Sequence, residues 1–292
     1  MDWRQFVMNL ESLHPAEVEE LLARHGAVAV TLSDAADDPV LEPAPGETPL
    51  WTDTRITGLF PGDTNLDLLQ QDILQSFDID ELPQFHIEKL PDRVWEREWL
   101  KNFKAMKFGD RLWVSPHEHT GPFGDDVVIR LDPGLAFGTG THATTALCLT
   151  WLDSLDLPGK QVLDMGCGSG ILAIAALLLG AEAATGMDID PQAITATESN
   201  AAANDVAEHL TTTRNLEDCG QDFDVLVANI LAGPLVDLAP SLAEKITHNG
   251  VIALSGILEE QLDAVRAAYE PWFALAAPVV NDGWVLLTGT RR

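Results

Sequence analysis

The residues with the clearest capacity for chemistry lie in Val162-Leu163-Asp164-Met165-Gly166-Cys167-Gly168-Ser169-Gly170. A buried strand runs into a glycine-rich turn and opens a helix over Ile171 to Leu179. Glycines at 166, 168 and 170 let the backbone turn tightly and approach a ligand with no Cβ in the way, and the first amides of the helix have no partner within it. The spacing does not fit a dinucleotide loop. G-x-G-x-x-G needs its third glycine where Ile171 stands, and Gly170 comes one residue early. The plainer alternative is an ordinary glycine-rich strand–turn–helix corner. A second strand, Ala183 to Met187, ends in Asp188-Ile189-Asp190, and a helix starts at Pro191 with proline in its favoured first position. A carboxylate at the end of a second strand accepts both hydroxyls of a ribose. Asp188 is the candidate, Asp190 reads as the helix N-cap, and the alternative makes both of them caps.

Other chemistries find little support. Cys148, Cys167 and Cys219 have no metal-like spacing and form no disulfide framework, and the histidines, His117 and His119 included, are scattered without partner ligands. No Ser–His or Cys–His nucleophile arrangement stands out. The longest apolar run, Ile171 to Leu179, is too short to span a bilayer, and the N-terminus lacks a basic-then-apolar signal pattern. The expectation is a cytoplasmic, metal-free protein. The net charge of −29 disfavours a bare nucleic-acid duplex and suits a basic protein partner, although solubility or a salty cytoplasm would also account for it.

The elements that must position these residues fall into two groups. Residues 1–90 carry 4 Lys/Arg against 18 Asp/Glu, whereas 91–111 carry 6 against 4, a shift that marks a boundary. The first ninety residues predict strands at Trp3–Leu10, Ala27–Leu32, Trp51–Phe60 and Phe85–Leu90. Helices are predicted at Pro15–His25 and Leu66–Phe77, with a Pro/Asp/Gly-rich loop over Ser33–Pro49. The order β-α-β-β-α-β is the ferredoxin-like α+β arrangement. Trp95, Trp99 and Phe103 share one face of a predicted connecting helix, so 91–111 is expected to be a helical linker. From Leu112 a second domain, 112–292, begins, with Leu112–Ser115 and Val127–Leu131 as a lead-in hairpin. Strands near Val162, Ala183, Leu210, Val225 and Val251 then alternate with helices, as in a parallel doubly wound sheet. Phe273–Val279 and Trp284–Thr290 around Asn281-Asp282-Gly283 close it with an antiparallel pair.

These segments resemble the PrmA family, bacterial methyltransferases of the large-subunit ribosomal protein numbered eleven. The marks are DPGLAFGTGTHATT (132–145), VLDMGCGSGILAIAA (162–176), GMDIDPQAI (186–194) and VANILAGPL (227–235), supported by WEREW (95–99) and LDSLDL (152–157). Many S-adenosylmethionine-dependent methyltransferases share the Asp-x-Gly-x-Gly-x-Gly loop; FGTGTH together with Asn-Ile-Leu-Ala is far more selective. The similarity covers the whole chain. One departure is Ala143, where the family usually has a proline that would preset φ.

The resemblance implies an α/β fold: a Rossmann-like class I methyltransferase domain with a mostly parallel seven-stranded sheet, preceded by the small ferredoxin-like domain. It implies S-adenosylmethionine as cofactor, with Thr145, Gly166, Asp188 and Asn229 as its contacts. Asn229 also stands as an amine-side contact, its plainer reading being a strand-end cap; His142 reads as structural. No metal and no catalytic side chain are implied, only proximity. The implied substrate is the ribosomal protein, methylated on its N-terminal α-amine and on lysines. Residues 1–90 would recognise it, and 91–111 would act as a hinge. No direct nucleic-acid readout, no membrane and a monomer are expected. The rivals are a methyltransferase acting on another protein, RNA or small molecule, a non-catalytic cofactor-binding module, and a nicotinamide oxidoreductase, which Gly170 disfavours.

Overall fold

The computed structural model describes residues 2–36, 51–90, 104–117, 119, 121–131 and 142–292. The chain divides into two compact units, Met1–Trp95 and Glu96–Arg292. The first unit contains β1 (Trp3–Asn9), α1 (Pro15–Arg24), β2 (Ala29–Asp34), β3 (Thr54–Pro61), α2 (Leu66–Ser76) and β4 (Phe85–Leu90). Its sheet runs β2-β3-β1-β4 with every neighbour antiparallel, the ferredoxin-like arrangement. Period-two alternation along β3 sends Ile56 and Phe60 inward. They meet Val18, Leu21 and Leu22 of α1 and Leu66, Leu69 and Ile73 of α2 in one core. Proline opens α1, and Asn65 caps α2 by accepting from the Asp67 amide.

The second unit opens with β5 (Met106–Phe108), β6 (Leu112–Ser115) and β7 (Val127–Arg130). The helical reading of 91–111 needs revision at its end. Residues 91–103, including WEREW, lie outside the described residues, but β5 pairs antiparallel with β6, so the second unit's structure starts before Leu112. The expected hairpin is also corrected: β6 and β7 pair in parallel. Pairing direction depends on the connection and leaves no mark on strand periodicity.

The larger sheet uses β8 (Gln161–Met165), β9 (Ala183–Met187), β10 (Leu210–Thr213), β11 (Phe223–Asn229), β12 (Ile246–Leu258), β13 (Phe273–Leu275), β14 (Val279–Asn281) and β15 (Trp284–Arg291). Its helices are α3 (Ala143–Asp153), α4 (Ile171–Leu178), α5 (Pro191–Ala203), α6 (Ala232–Lys245) and α7 (Leu262–Tyr269). The order is β10-β9-β8-β11-β12-β15-β13, with β14 beside β15. The first five run in parallel, and β15 enters antiparallel to β12. The path has seven strands as expected, and an eighth appears because Phe273–Val279 is two strands rather than one. Asp282 and Gly283, both at positive φ, form the two-residue turn from β14 into β15.

Alternation divides the core between the two sheet faces. Val162, Val225, Val227 and Ala253 pack with the residues of α3 and α4, whereas Leu163, Met165, Leu226 and Leu254 pack with those of α6 and α7. Helix α4 is buried from Ile171 to Leu177, which suits its apolar composition on every side.

Candidate active site

Three parallel strands bring their C-terminal ends to one level. Met165 of β8 pairs with Met187 of β9 on one side and with Ala228 of β11 on the other. The next residues, Gly166, Asp188 and Asn229, therefore stand at the same height, Gly166 and Asp188 just past their strands and Asn229 as the last residue of β11. At β8 the strand order also reverses, with β9 to one side and β11 to the other. In open α/β sheets the crevice at such a switch point, beyond the strand carboxyl ends, is where ligands bind. Thr145, in the first turn of α3, joins the group: Asn229 Nδ2 donates to Thr145 Oγ1 at 3.3 Å. The four residues singled out from the sequence thus gather at the strand ends, with Thr145 itself buried.

The glycine turn is wired inward. Gly166, Gly168 and Gly170 all take positive φ, at 74°, 54° and 78°, and a Cβ on Gly166 would collide with the Ile230 side chain. The Gly166 and Cys167 amides donate to Met187 O at 2.7 and 3.0 Å, and Gly170 donates to Cys167 O at 2.7 Å. Gly168 donates to Asp188 Oδ2 at 2.9 Å. At the start of α4, Asp164 Oδ2 accepts from the Ala173 amide at 3.0 Å. A phosphate loop leaves such donors facing its ligand. Here they serve the protein's own carbonyls and carboxyl groups, and the start of α4 is already occupied by the Asp164 side chain. Asp164 is fully buried. Burial pushes its carboxyl up to about 7; the Ala173 amide opposes this and the nearby Asp188 charge adds to it. Asp164 Oδ1 has no hydrogen-bond partner among the described residues.

Asp188 is half-buried and doubly anchored, with Oδ2 on Gly168 and Oδ1 accepting from the Asp190 amide at 3.0 Å. Each carboxylate oxygen keeps a second lone pair, so two adjacent acceptors remain, the pattern a vicinal diol requires. Asp190 accepts from the Gln192 amide at 2.8 Å and is the N-cap of α5, as its position suggests. His142 is the N-cap of α3, its Nδ1 lying 2.8 Å from Thr144 Oγ1, and its ring meets Trp284 edge-on at 4.9 Å. That is a structural role. Residues 132–141, which include all of FGTGTH (137–142) except His142, lie outside the described residues. Burial, and after it the Asp164 and Asp188 carboxylates, push the Cys167 thiol up to about 12, so this cysteine offers no thiolate nucleophile.

Residues 2–292 match the family model described as Ribosomal protein L11 methyltransferase (PrmA). A Ribosomal protein L11 methyltransferase of Azotobacter vinelandii is 50% identical over 293 residues, covering 100% of both chains. The chain belongs to this family. A relative of the same name from Shewanella sediminis is 48% identical over 294 residues, again covering 100% of each. The crystal structure of ribosomal protein L11 methylase from Lactobacillus delbrueckii subsp. bulgaricus superposes with a TM-score of 0.60 at 35% identity, over 65% of this chain and 100% of that one. PrmA members are S-adenosylmethionine-dependent methyltransferases of class I fold, and the crevice fits that cofactor. An adenosine diol and a sulfonium cation suit a site that presents the Asp188 carboxylate beside amides engaged within the protein, where a pyrophosphate would be repelled.

Some residues around this PrmA crevice carry weight that the sequence reading did not assign. Asp164 is an acid two residues before the first glycine, within reach of the next helix start, where it accepts from the Ala173 amide. On α5, Thr197, Asn200 and Asn204 hold the loop and β7 from behind. Their signal was polar residues at i, i+3 and i+7 in an alanine-rich helix.

Proposed function

We propose that this chain transfers methyl groups from S-adenosylmethionine to amine nitrogens of ribosomal protein L11, its N-terminal α-amine and lysine side chains, with the cofactor held at Thr145, Gly166, Asp188 and Asn229. The observation that carries this reading is the common level of Gly166, Asp188 and Asn229 at the strand switch point, with Asn229 bonded to Thr145. The end-to-end match to relatives named for that substrate supports it.

The cofactor supplies a methyl on a positively charged sulfur, open to direct displacement by an uncharged amine. The protein's part is to bind, orient and exclude water. Asp188 accepts the two ribose hydroxyls through its free lone pairs, and Gly166, whose missing Cβ makes room for the Ile230 side chain, meets the cofactor with its backbone. Thr145 fixes the Asn229 amide by taking one Nδ2 hydrogen, which leaves Oδ1 to accept from an incoming N–H and so aim the nitrogen lone pair. A lysine ammonium has no lone pair to attack with, and its ordinary pKa is about 10 against about 8 for an α-amine. Desolvation in the crevice favours the neutral form, and positioning alone supplies roughly 7–11 kcal/mol. No covalent intermediate on the enzyme is required.

In this reading residues 1–90 recognise the substrate. The acidic chain then meets a basic protein in the cytoplasm as a monomer, without reading nucleic acid. Among the described residues no helix is long and apolar enough to cross a membrane. Intact mass spectrometry of purified L11, incubated with this enzyme and S-adenosylmethionine, tests the proposal. Mass gains in single-methyl steps, mapped to the N-terminus and lysines, are expected. An unchanged mass, with cofactor bound, would move the activity to another amine.

A further inference from the structure

Helix α5 follows the Asp190 cap, whose amide donates to Asp188, and beside the buried Ala193 and Ala201 it carries polar side chains turned inward. Thr197 is fully buried, and Asn204 is 8% exposed. Thr197 Oγ1 lies 3.0 Å from Gly168 O and 3.4 Å from Cys167 Sγ. A hydroxyl has one hydrogen to give, and the shorter distance assigns it to Gly168 O, with the thiol free to donate back. Asn200 Nδ2 donates to Ser169 O at 2.8 Å. Asn204 pairs with Arg130 at the end of β7 as another strand would, accepting from its amide and donating to its carbonyl, both at 2.7 Å. Residues at i, i+3 and i+7 share one helix face, so a single face grips the glycine turn twice and β7 once.

The grip bears on the glycine turn because glycine peptides rotate cheaply. In a planar trans peptide the N–H points opposite to the C=O. Holding Gly168 O and Ser169 O toward α5 therefore fixes the Gly168–Ser169 and Ser169–Gly170 peptide planes; the Gly170 amide of the latter donates to Cys167 O at 2.7 Å, which holds the Cys167–Gly168 peptide and with it the Gly168 amide. That amide donates to Asp188 Oδ2, while Asp188 Oδ1 accepts from Asp190 at the head of the same helix. The bonds close a ring from turn to Asp188, to the α5 N-terminus, to Thr197 and Asn200, and back to the turn. The methyl of Thr197 also packs where a Cβ on Gly170 would fall, which is why position 170 takes glycine.

We infer that Thr197 and Asn200 are positioning residues for the cofactor: they hold the glycine turn so that the Asp188 carboxylate is already aimed before the cofactor arrives. This rests on the assignment of the crevice to S-adenosylmethionine. Preorganisation of this kind acts on binding rather than on the methyl-transfer step.

The test compares Thr197→Val, which keeps the shape and removes the hydroxyl, with Thr197→Ser, which keeps the hydroxyl. S-adenosylmethionine affinity is measured by calorimetry, and exchange of the Gly168 amide by NMR without cofactor. The Val variant is expected to bind the cofactor about five- to tenfold more weakly, the loss that one hydrogen bond represents, with faster Gly168 exchange and an unchanged kcat at saturating cofactor. The Ser variant should bind within about twofold of wild type. Asn200→Ala, on the more accessible part of the face, serves if the Val variant does not fold, with the same expected loss. Wild-type affinity in the Val and Ala variants would overturn the inference alone. Equal weakening in the Val and Ser variants would assign Thr197 to packing and overturn it too. No binding by the wild type would overturn the cofactor assignment beneath it.

Discussion

Asp164 places a carboxylate where solvent cannot reach it, for the sake of one hydrogen bond to the start of α4. The arrangement costs stability when the group is ionised. Below about pH 4 folded and unfolded chains both hold the proton. As pH rises toward about 7, the unfolded chain releases it while the folded chain keeps it. Stability therefore falls through that window and the loss is complete above it, on the order of 1 kcal/mol per pH unit. Asp164→Asn keeps an oxygen for the Ala173 amide and has no proton to lose. Thermal unfolding of both proteins between about pH 5 and about pH 8 should show wild type losing ground to the variant as pH rises. A constant difference would place the Asp164 pKa near its ordinary value. At this scale the sequence was legible where residue type and strand-end position coincide, as at Gly166, Asp188 and the Asp190 cap. It was silent where a side chain works through a distant backbone group. The reach from Thr197 to Gly168 and from Asn204 to Arg130 crosses 29 and 74 residues, and local spacing carries no record of it.

Helix α3 shows how an element delivers a site residue. His142 closes the N-terminus, Ala143 is the first helical residue, and Thr145 follows within the same turn, bonded to Asn229. The first helical amide has no acceptor inside the helix, so proline at 143 would lose nothing and would restrict the unfolded chain. His142, at φ −77° and ψ 141°, already has the extended conformation that precedes proline. Ala143→Pro is expected to stabilise the protein by about 0.4–1 kcal/mol, read as a rise of about 1–4 °C in Tm, with unchanged cofactor affinity. A fall in Tm would mean that the Ala143 amide is engaged outside the helix. Long periodic helices and the apolar strands of the parallel sheet were readable from the sequence because burial imposes their periods. Short elements were not. Met106–Phe108 is three residues long and continues a helical-looking stretch, and the break between β13 and β14 at Ala276–Pro278 falls in an otherwise strand-like run.

At the scale of the whole molecule, the chain joins a small antiparallel α+β unit to a doubly wound sheet, each with its own core. The order of elements was legible from alternation and composition, and the charge step near residue 90 marked the transition within a few residues. The direction of β6–β7 pairing was not legible, since topology depends on connections rather than on the strands themselves. The central claim is that the crevice at the β8/β11 switch point accepts S-adenosylmethionine and rejects dinucleotides, because its amides point inward and its free acceptors belong to Asp188. Calorimetric titration tests this most directly, with S-adenosylmethionine and then NAD added to wild type and to Asp188→Ala. Wild type should bind S-adenosylmethionine and not NAD, and the folded variant should bind it at least about tenfold more weakly, since two charge-assisted hydrogen bonds are lost. Binding of NAD by wild type, or equal S-adenosylmethionine affinity in a folded Asp188→Ala protein, would contradict it.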